Sequence, residues 1–286
     1  MYFLNHFTLG LNIEPVWALG GNKIESLQAI HLAVAAVIGL FASCVGFLFT
    51  KFHWSVVSFF DRYDLLDNKN AIRRALAGAA MISLIGMIIP HTMFWGEAEF
   101  QQIATMAPSS ELPHVWPTKG LIGFEMDSPL NAFILGVAKI IAISFTVAGG
   151  YRGGFIFPLF TAGAAFGRVL ASFLPWLEPK MACLCFAAGL NVSITKTALG
   201  TSMILANISG EGGCEAAILT SSLVALFATA SMVSRIKLTG MNYSFFSHLK
   251  FDLFSAIYKN ASCKGRLNTC PDGKRRYDHT LVTSIF

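Results

Sequence analysis

The stretch Gly149–Arg168, GGYRGGFIFPLFTAGAAFGR, decides the fold because it sets a glycine-rich turn directly before an apolar helix. Glycines at 149, 150, 153 and 154 allow backbone angles that other residues avoid, so we expect a sharp turn with exposed amides. The first N–H groups of a helix lack partners within it and carry partial positive charge. These features predict a site for a small anion, and in transporters such discontinuous helices lie near the bilayer midplane. A tight corner between two packed helices is the alternative explanation for the same glycines.

The composition around this stretch is that of an integral membrane protein. Of 286 residues, 54% are hydrophobic and only 13% are charged, and 25 are phenylalanine. The mean hydropathy is +0.58, far from the average for soluble domains. The net charge of +5 is modest and lies partly in the C-terminal tail, so it indicates membrane orientation and not nucleic-acid binding.

Signals for other chemistries are absent from the sequence. The six cysteines show no paired CxxC spacing, and the histidines lack the spacing of metal ligands, so we expect neither a metal nor a cofactor. GxSxG, HExxH and paired membrane aspartates are also missing, so we do not expect an enzyme.

Apolar runs along the chain predict an all-α, multi-pass membrane fold. The run from His31 to Phe60 exceeds the ~20 residues that a perpendicular helix needs and should be tilted. Further spans are expected in four places: Ala71 to Pro90, Leu130 to Val147, Phe155 to Phe173, and Cys214 to Val233. Lys139 lies in the middle of one span and should face the protein interior, because a buried cation in lipid is costly.

Shorter segments complete the predicted fold. Gly96 to Pro129 reads as a short interfacial helix and an irregular loop. Glu97 and Glu99 are expected to form a wet face, and the alternative is that they bind protons at a vestibule. Met181 to Leu190 and Ile194 to Ile208 are too short to cross alone, which is typical of re-entrant helices. A last short helix is expected at Phe251 to Tyr258.

Three motifs resemble those of the CLC chloride channels and chloride/proton antiporters. Gly153 to Pro158, GGFIFP, is similar to the GGxFxP anion-binding element of that family. Ser193 to Gly210, SITKTALGTSMILANISG, resembles the family's VTRTPLTxxxxxFELTG helix, with Ala198 and Asn207 departing from it. Lys250 to Ile257, KFDLFSAI, resembles the final helix, where the family places a tyrosine whose hydroxyl contacts chloride.

The resemblance implies a fold, a domain division and a site. It covers only the second of the two inverted halves of a CLC membrane domain, so the fold class is one inverted-repeat half with tilted, short and re-entrant helices. Residues 1–28 correspond to a connecting segment, 29–258 to the C-terminal half of the transmembrane domain, and 259–286 to a basic tail. The positive-inside rule predicts that this tail is cytoplasmic. The implied anion-binding residues are Gly154, Phe155, Ile156, Phe157 and Phe254.

Two of these positions depart from the family pattern. Ile156 replaces a phenylalanine, but the family contact there is made by a main-chain N–H, so the donor is kept. Phe254 replaces the expected tyrosine, which removes one hydroxyl donor and about 1 kcal/mol of binding. The family's GSGxP and GKEGP or GREGP elements belong to the first half, and neither string occurs in the chain.

The resemblance implies chloride or small-anion transport by a homodimer in a lipid bilayer, with one pore per subunit. Channel and proton-coupled antiporter behaviour both stay open, because the family's gating glutamate lies in the first half. The alternative is a truncated or non-conducting CLC-like subunit that needs a separate first half.

Overall fold

The computed structural model describes residues 15–17, 19, 28–107, 119–151 and 153–238, except for the side chains of 68, 212 and 233–238. Within these ranges the secondary structure is helical. The α-helices are α1 (Ala29–Arg62), α2 (Ala71–Ile88), α3 (Glu97–Thr105), α4 (Pro129–Ala148), α5 (Ile156–Phe173), α6 (Pro179–Thr195), α7 (Ala198–Ser209) and α8 (Glu215–Leu238).

The predicted all-α, multi-pass membrane fold is confirmed. Among the described residues, five helices are long and apolar enough to cross a membrane: α1, α2, α4, α5 and the Glu215–Met232 part of α8. Helix α1 has 34 residues, so it is about 50 Å long at ~1.5 Å per residue. The hydrocarbon core is only about 30 Å thick, so α1 must tilt if it lies within the bilayer. Pro90 starts a short 3-10 turn directly after α2, as expected for a residue that cannot donate a main-chain hydrogen bond.

Helix α6 forms the core of the fold, since all of its residues from Lys180 to Ser193 are buried. Helix α5 packs closely against it through Gly163 and Gly167. A Cβ at Gly163 would lie 2.5 Å from Cα of Ala187, and one at Gly167 would lie 2.5 Å from the carbonyl oxygen of Ala182. These two glycines therefore let the helix backbones touch, as small residues do in membrane packing.

The break between α6 and α7 lies later than the sequence predicts. The predicted segments Met181 to Leu190 and Ile194 to Ile208 leave residues 191–193 between them, but Asn191 and Ser193 are buried within α6. The Asn191 side chain donates from Nδ2 to Oγ1 of Thr201 in α7 at 2.8 Å, and Ser193 Oγ donates to the carbonyl of Leu190 at 2.7 Å. The helix instead ends at Thr195, and its C-cap Lys196 has a left-handed φ of 63°. Polar partners across the helix pair thus allow the helix to continue.

Lys139 faces the protein interior, as predicted from its place in an apolar span. It is 2% exposed. Its ammonium group donates to the main-chain carbonyls of Thr92 and Phe94, in the turn that follows α2. The ammonium therefore ties α4 to this turn, and it finds acceptors without reaching solvent.

The prediction that Glu99 lies on a wet face is wrong. Glu99 in α3 is fully buried, and neither carboxylate oxygen has a hydrogen-bond partner among the described residues. Its charge interacts with that of Lys139. Its neighbour Glu97 is only half buried and accepts a hydrogen bond from Trp95 Nε1 at 3.0 Å. The short helix α3 thus inserts one acidic side chain next to the buried lysine.

Replacing Lys139 with methionine should destabilise the protein strongly. The change leaves the carbonyls of Thr92 and Phe94 without their donor and removes the positive charge that interacts with Glu99. Leaving a buried polar group unsatisfied costs about 1 to 3 kcal/mol, and more for a charged group. Thermal unfolding in detergent measures the loss. The double variant Lys139→Met/Glu99→Gln should recover part of it. Lys51 in α1 is exposed, so Lys51→Met is the matched control, and equal stability of the two single variants would contradict the prediction.

Candidate anion-binding site

The start of α5 presents main-chain donors without acceptors. Phe155 is the N-cap, with φ −101° and ψ −2°, and the helix begins at Ile156. The amides of Phe155, Ile156 and Phe157 donate to no acceptor among the described residues, whereas the amide of Leu159 donates to the carbonyl of Phe155 at 3.0 Å. Pro158 has no N–H. Three donors at the positive end of an 18-residue helix therefore remain available.

The approach to these donors is open within the described part of the chain. Gly153 and Gly154 are exposed, and no heavy atom lies within 4 Å of the position that a Cβ would take at either residue. Ile156 is 36% exposed. Phe155 and Phe157 instead pack partly against the hydrophobic core. The side chains thus hold the helix start in place while the main chain before it stays uncovered.

The sharp turn is made by the first pair of glycines and not by all four. Gly150 has φ 84°, in the left-handed region, whereas Gly153 and Gly154 do not adopt such angles. Gly149 packs against the backbone of α2, where its Cβ would lie 3.2 Å from Cα of Gly78. The tight-corner explanation therefore accounts for Gly149 and Gly150. Neither strain nor packing in the described residues requires glycine at 153 and 154.

The turn also closes the carboxyl end of α4. Gly149 donates to the carbonyl of Phe145 at 2.8 Å, Gly150 to that of Val147 at 3.0 Å, and Tyr151 to that of Thr146 at 3.1 Å. The last carbonyls of α4 are thus satisfied locally, as is common where a helix ends near a left-handed glycine. The amides before α5 are left out of this network.

The N-terminal part of α5 is held by the residue that caps α3. Thr161 Oγ1 donates to the carbonyl of Gly96 at 2.9 Å and lies 3.0 Å from that of Phe157. Gly96 has φ 103°, and a Cβ there would collide with Thr161 Oγ1. The helix start is therefore held on a rigid element, which is what a binding site built from main-chain donors requires.

The structure brings four of the five sequence-predicted site residues together at one place. Gly154, Phe155, Ile156 and Phe157 are consecutive and form the start of α5. Phe254 lies outside the described residues, as does Arg152 beside the turn. The structure also adds Arg74 of α2, which packs against Gly150. No local pattern in the sequence indicates that contact, because 76 positions separate the two residues.

The imidazole of His91 is buried in the turn after α2. Burial lowers the pKa of His91, in the turn after α2, to about 4, so its imidazole is neutral at physiological pH. Within the described ranges, no three histidine, cysteine, aspartate or glutamate side chains converge as metal ligands would. The donors at the start of α5 are thus the feature of this region suited to a small ligand.

Comparison with known proteins gives one family. The family model described as "Voltage gated chloride channel" matches residues 3–232. The protein named "Putative ion-transport protein YfeO" in Escherichia coli O7:K1 is 24% identical over 200 residues, which are 68% of this chain and 39% of the relative. Its counterpart in Salmonella newport is 25% identical over 190 residues, 66% of this chain and 41% of the relative. The chain thus spans about two fifths of the length of these relatives.

The two glycine pairs should respond differently to alanine. Gly150→Ala should lower the free energy of unfolding by about 1 to 3 kcal/mol, because it forces a left-handed backbone on alanine and a methyl group into the Arg74 guanidinium. Gly154→Ala should change it by less than about 0.5 kcal/mol, since nothing surrounds that position. Thermal unfolding in detergent compares the two. A Gly154→Ala variant as unstable as Gly150→Ala would contradict this account of the turn.

Proposed function

The chain belongs to the voltage-gated chloride channel family, and from this membership we propose that it transports chloride or a similar small anion across a membrane. The anion is held by the main-chain amides of Phe155, Ile156 and Phe157. Gly154 leaves room for its approach. Ion transport is the activity that the family description and the printed names of the relatives share.

The observation that supports this proposal is the row of donors without acceptors at the start of α5. A hydrogen bond to a charged acceptor contributes about 1.5 to 3 kcal/mol. Two or three such bonds, reinforced by the helix dipole, suffice to select an anion. Because no full cation lies at the donors themselves among the described residues, the ion is bound weakly enough to leave, as conduction requires.

The side chains at the proposed site set its shape and not its charge. Ile156 keeps the amide that the family uses, so the resemblance to a GGxFxP element survives the change from phenylalanine. Phe254 removes the hydroxyl donor that the resemblance places in the pore, which weakens the proposed site by more than about 1 kcal/mol because the acceptor is charged. The proposed assembly is a homodimer in a lipid bilayer with a cytoplasmic C-terminal tail.

A specific observation favours a second candidate function, that of a subunit that conducts only with a separate first half. Gly78 and Gly86 are the only buried residues of α2, although this helix is apolar enough to span a membrane. The relatives are more than twice as long as the region they share with the chain. A complementary half that packs on α2 and faces the start of α5 would complete the pore.

Chloride efflux from liposomes tests both candidates. Purified chain is reconstituted alone, or after co-expression with the part of the E. coli relative that precedes its matched region. We expect valinomycin-dependent chloride efflux above that of empty liposomes in at least one of the two preparations. Efflux from the chain alone supports the first candidate, and efflux only with the added half supports the second. The absence of efflux from both preparations would reject transport.

Replacing single amides by esters tests the proposed donors directly. An α-hydroxy acid at position 156 removes the N–H of Ile156 and keeps the side chain, so the half-saturating chloride concentration should rise about tenfold, the equivalent of ~1.4 kcal/mol. The matched control is an ester at Leu159, whose amide already donates to Phe155. That ester should lower stability without changing chloride affinity. Equal affinities of the Ile156 ester and the unmodified chain would reject the amide site.

A further inference from the structure

Arg74 lies in the first turn of α2, and its guanidinium packs flat against the glycine turn that precedes the candidate site. A Cβ at Gly150 would lie 2.8 Å from Cζ and 2.9 Å from Nε of Arg74. The same two segments are joined by Tyr151, whose hydroxyl donates to the carbonyl of Ala75 at 2.8 Å. Arg74 is therefore held at one position relative to the turn.

The charge of Arg74 is not neutralised within the described part of the chain. The ion pairs there are those of Lys119 with Glu125 and of Lys180 with Glu178 and Glu211. Nε of Arg74 is inaccessible to solvent and has no hydrogen-bond acceptor there. A guanidinium carries five N–H donors, and a cation in a membrane protein is costly unless it meets water or an anion. Such an arrangement leaves a positive field at the turn.

Chain length sets an upper limit on the distance between the turn that Arg74 contacts and the open amides. Gly150 precedes Gly153 by three residues and Phe155 by five. At no more than ~3.6 Å per residue, the two are within about 11 and 18 Å of Gly150. The Debye length is about 10 Å at 0.1 M salt and about 30 Å at 0.01 M. At low ionic strength, the Arg74 charge therefore acts on an anion that approaches the start of α5.

We propose that Arg74 is an anion-capture residue, which attracts inorganic monovalent anions toward the main-chain donors at the start of α5. This inference rests on the proposed function. The cation lies beside the site and not in it, so it raises the local anion concentration without adding a contact that would hold the ion. Arg74 is thus a positioning residue, and the amides remain the ligands.

A purely structural role would give a different pattern of variants. If Arg74 acts only by packing its planar guanidinium group against Gly150, lysine cannot replace it, because the lysine ammonium is compact and not planar. If its charge matters, lysine restores the effect and glutamine does not. Arg73 supplies the matched control, since it is the preceding residue of the same helix and is exposed.

Chloride flux measured at two ionic strengths tests the proposal. Arg74→Gln, Arg74→Lys, Arg73→Gln and the unmodified chain are reconstituted, in whichever preparation conducts. Half-saturating chloride and maximal rate are determined at ~10 mM and ~300 mM ionic strength. At the lower value, Arg74→Gln should raise the half-saturating concentration about threefold to tenfold with an unchanged maximal rate. At the higher value the difference should fall below about twofold, and Arg74→Lys and Arg73→Gln should stay within about twofold throughout.

Chloride-dependent thermal stabilisation in detergent separates this inference from the proposed function. If no preparation conducts, stabilisation of the unmodified chain by chloride at low ionic strength, lost in Arg74→Gln and kept in Arg73→Gln, would still support capture by Arg74. An Arg74→Gln chain with the chloride affinity of the unmodified chain would overturn the inference, even where transport is intact. Equal losses in Arg73→Gln and Arg74→Gln would also overturn it, because they would indicate a general surface-charge effect. Chloride that neither moves nor stabilises any chain would reject both proposals.

Discussion

An unpaired main-chain N–H inside a membrane protein must face another protein group, water or a ligand, and the start of α5 is organised around this constraint. The amides of residues 155 to 157 are left out of the hydrogen bonds that close α4 and out of the ladder that begins at Leu159. Thr161 and Gly96 fix the same helix turn from behind. The packing of the surrounding helices thus fixes the position of these donors, and the backbone that precedes them stays exposed.

The same constraint governs the buried side chains elsewhere in the fold. Lys139 finds carbonyl acceptors in the turn after α2, and Asn191 finds a hydroxyl across the α6–α7 pair. Each polar group joins two elements that the sequence separates by at least ten positions. Glu99 has no such hydrogen bond among the described residues, and only the nearby charge of Lys139 compensates it. The buried polar residues of this fold therefore specify which helices pack together. Apolar helix faces require only burial and do not select a partner.

The apolar runs of the sequence predict the spanning helices well, because length and hydropathy are local properties. The spans α1, α2, α4, α5 and α8 all begin and end within a few residues of the expected positions.

The errors of prediction lie where a residue distant in the sequence decides the local structure. Asn191 stays helical because its side chain donates a hydrogen bond to Thr201, and Glu99 is buried because α3 packs against α5 and α6. The sequence also treats four glycines as equivalent, whereas contacts with α2 separate Gly149 and Gly150 from Gly153 and Gly154. The main-chain donors were predictable because a helix start after glycines needs no distant partner.

The neutral donors at the start of α5 and the guanidinium of Arg74 suit two different tasks in the proposed capture of an anion. A guanidinium in direct contact with a halide would bind it tightly and slow its release, because a full charge in a dry site is poorly screened. Main-chain dipoles give a shallower minimum, but alone they attract ions only over a short range. Arg74, which is half-buried beside the turn before these donors, supplies the longer range, and salt screens its charge. Gly150 is what permits this placement, since any side chain there would displace the guanidinium from the turn. The glycines at 149 and 150 thus leave room for the cation, and those at 153 and 154 leave the donors exposed. A stretch that looks uniform in the sequence therefore contains two glycine pairs with different tasks.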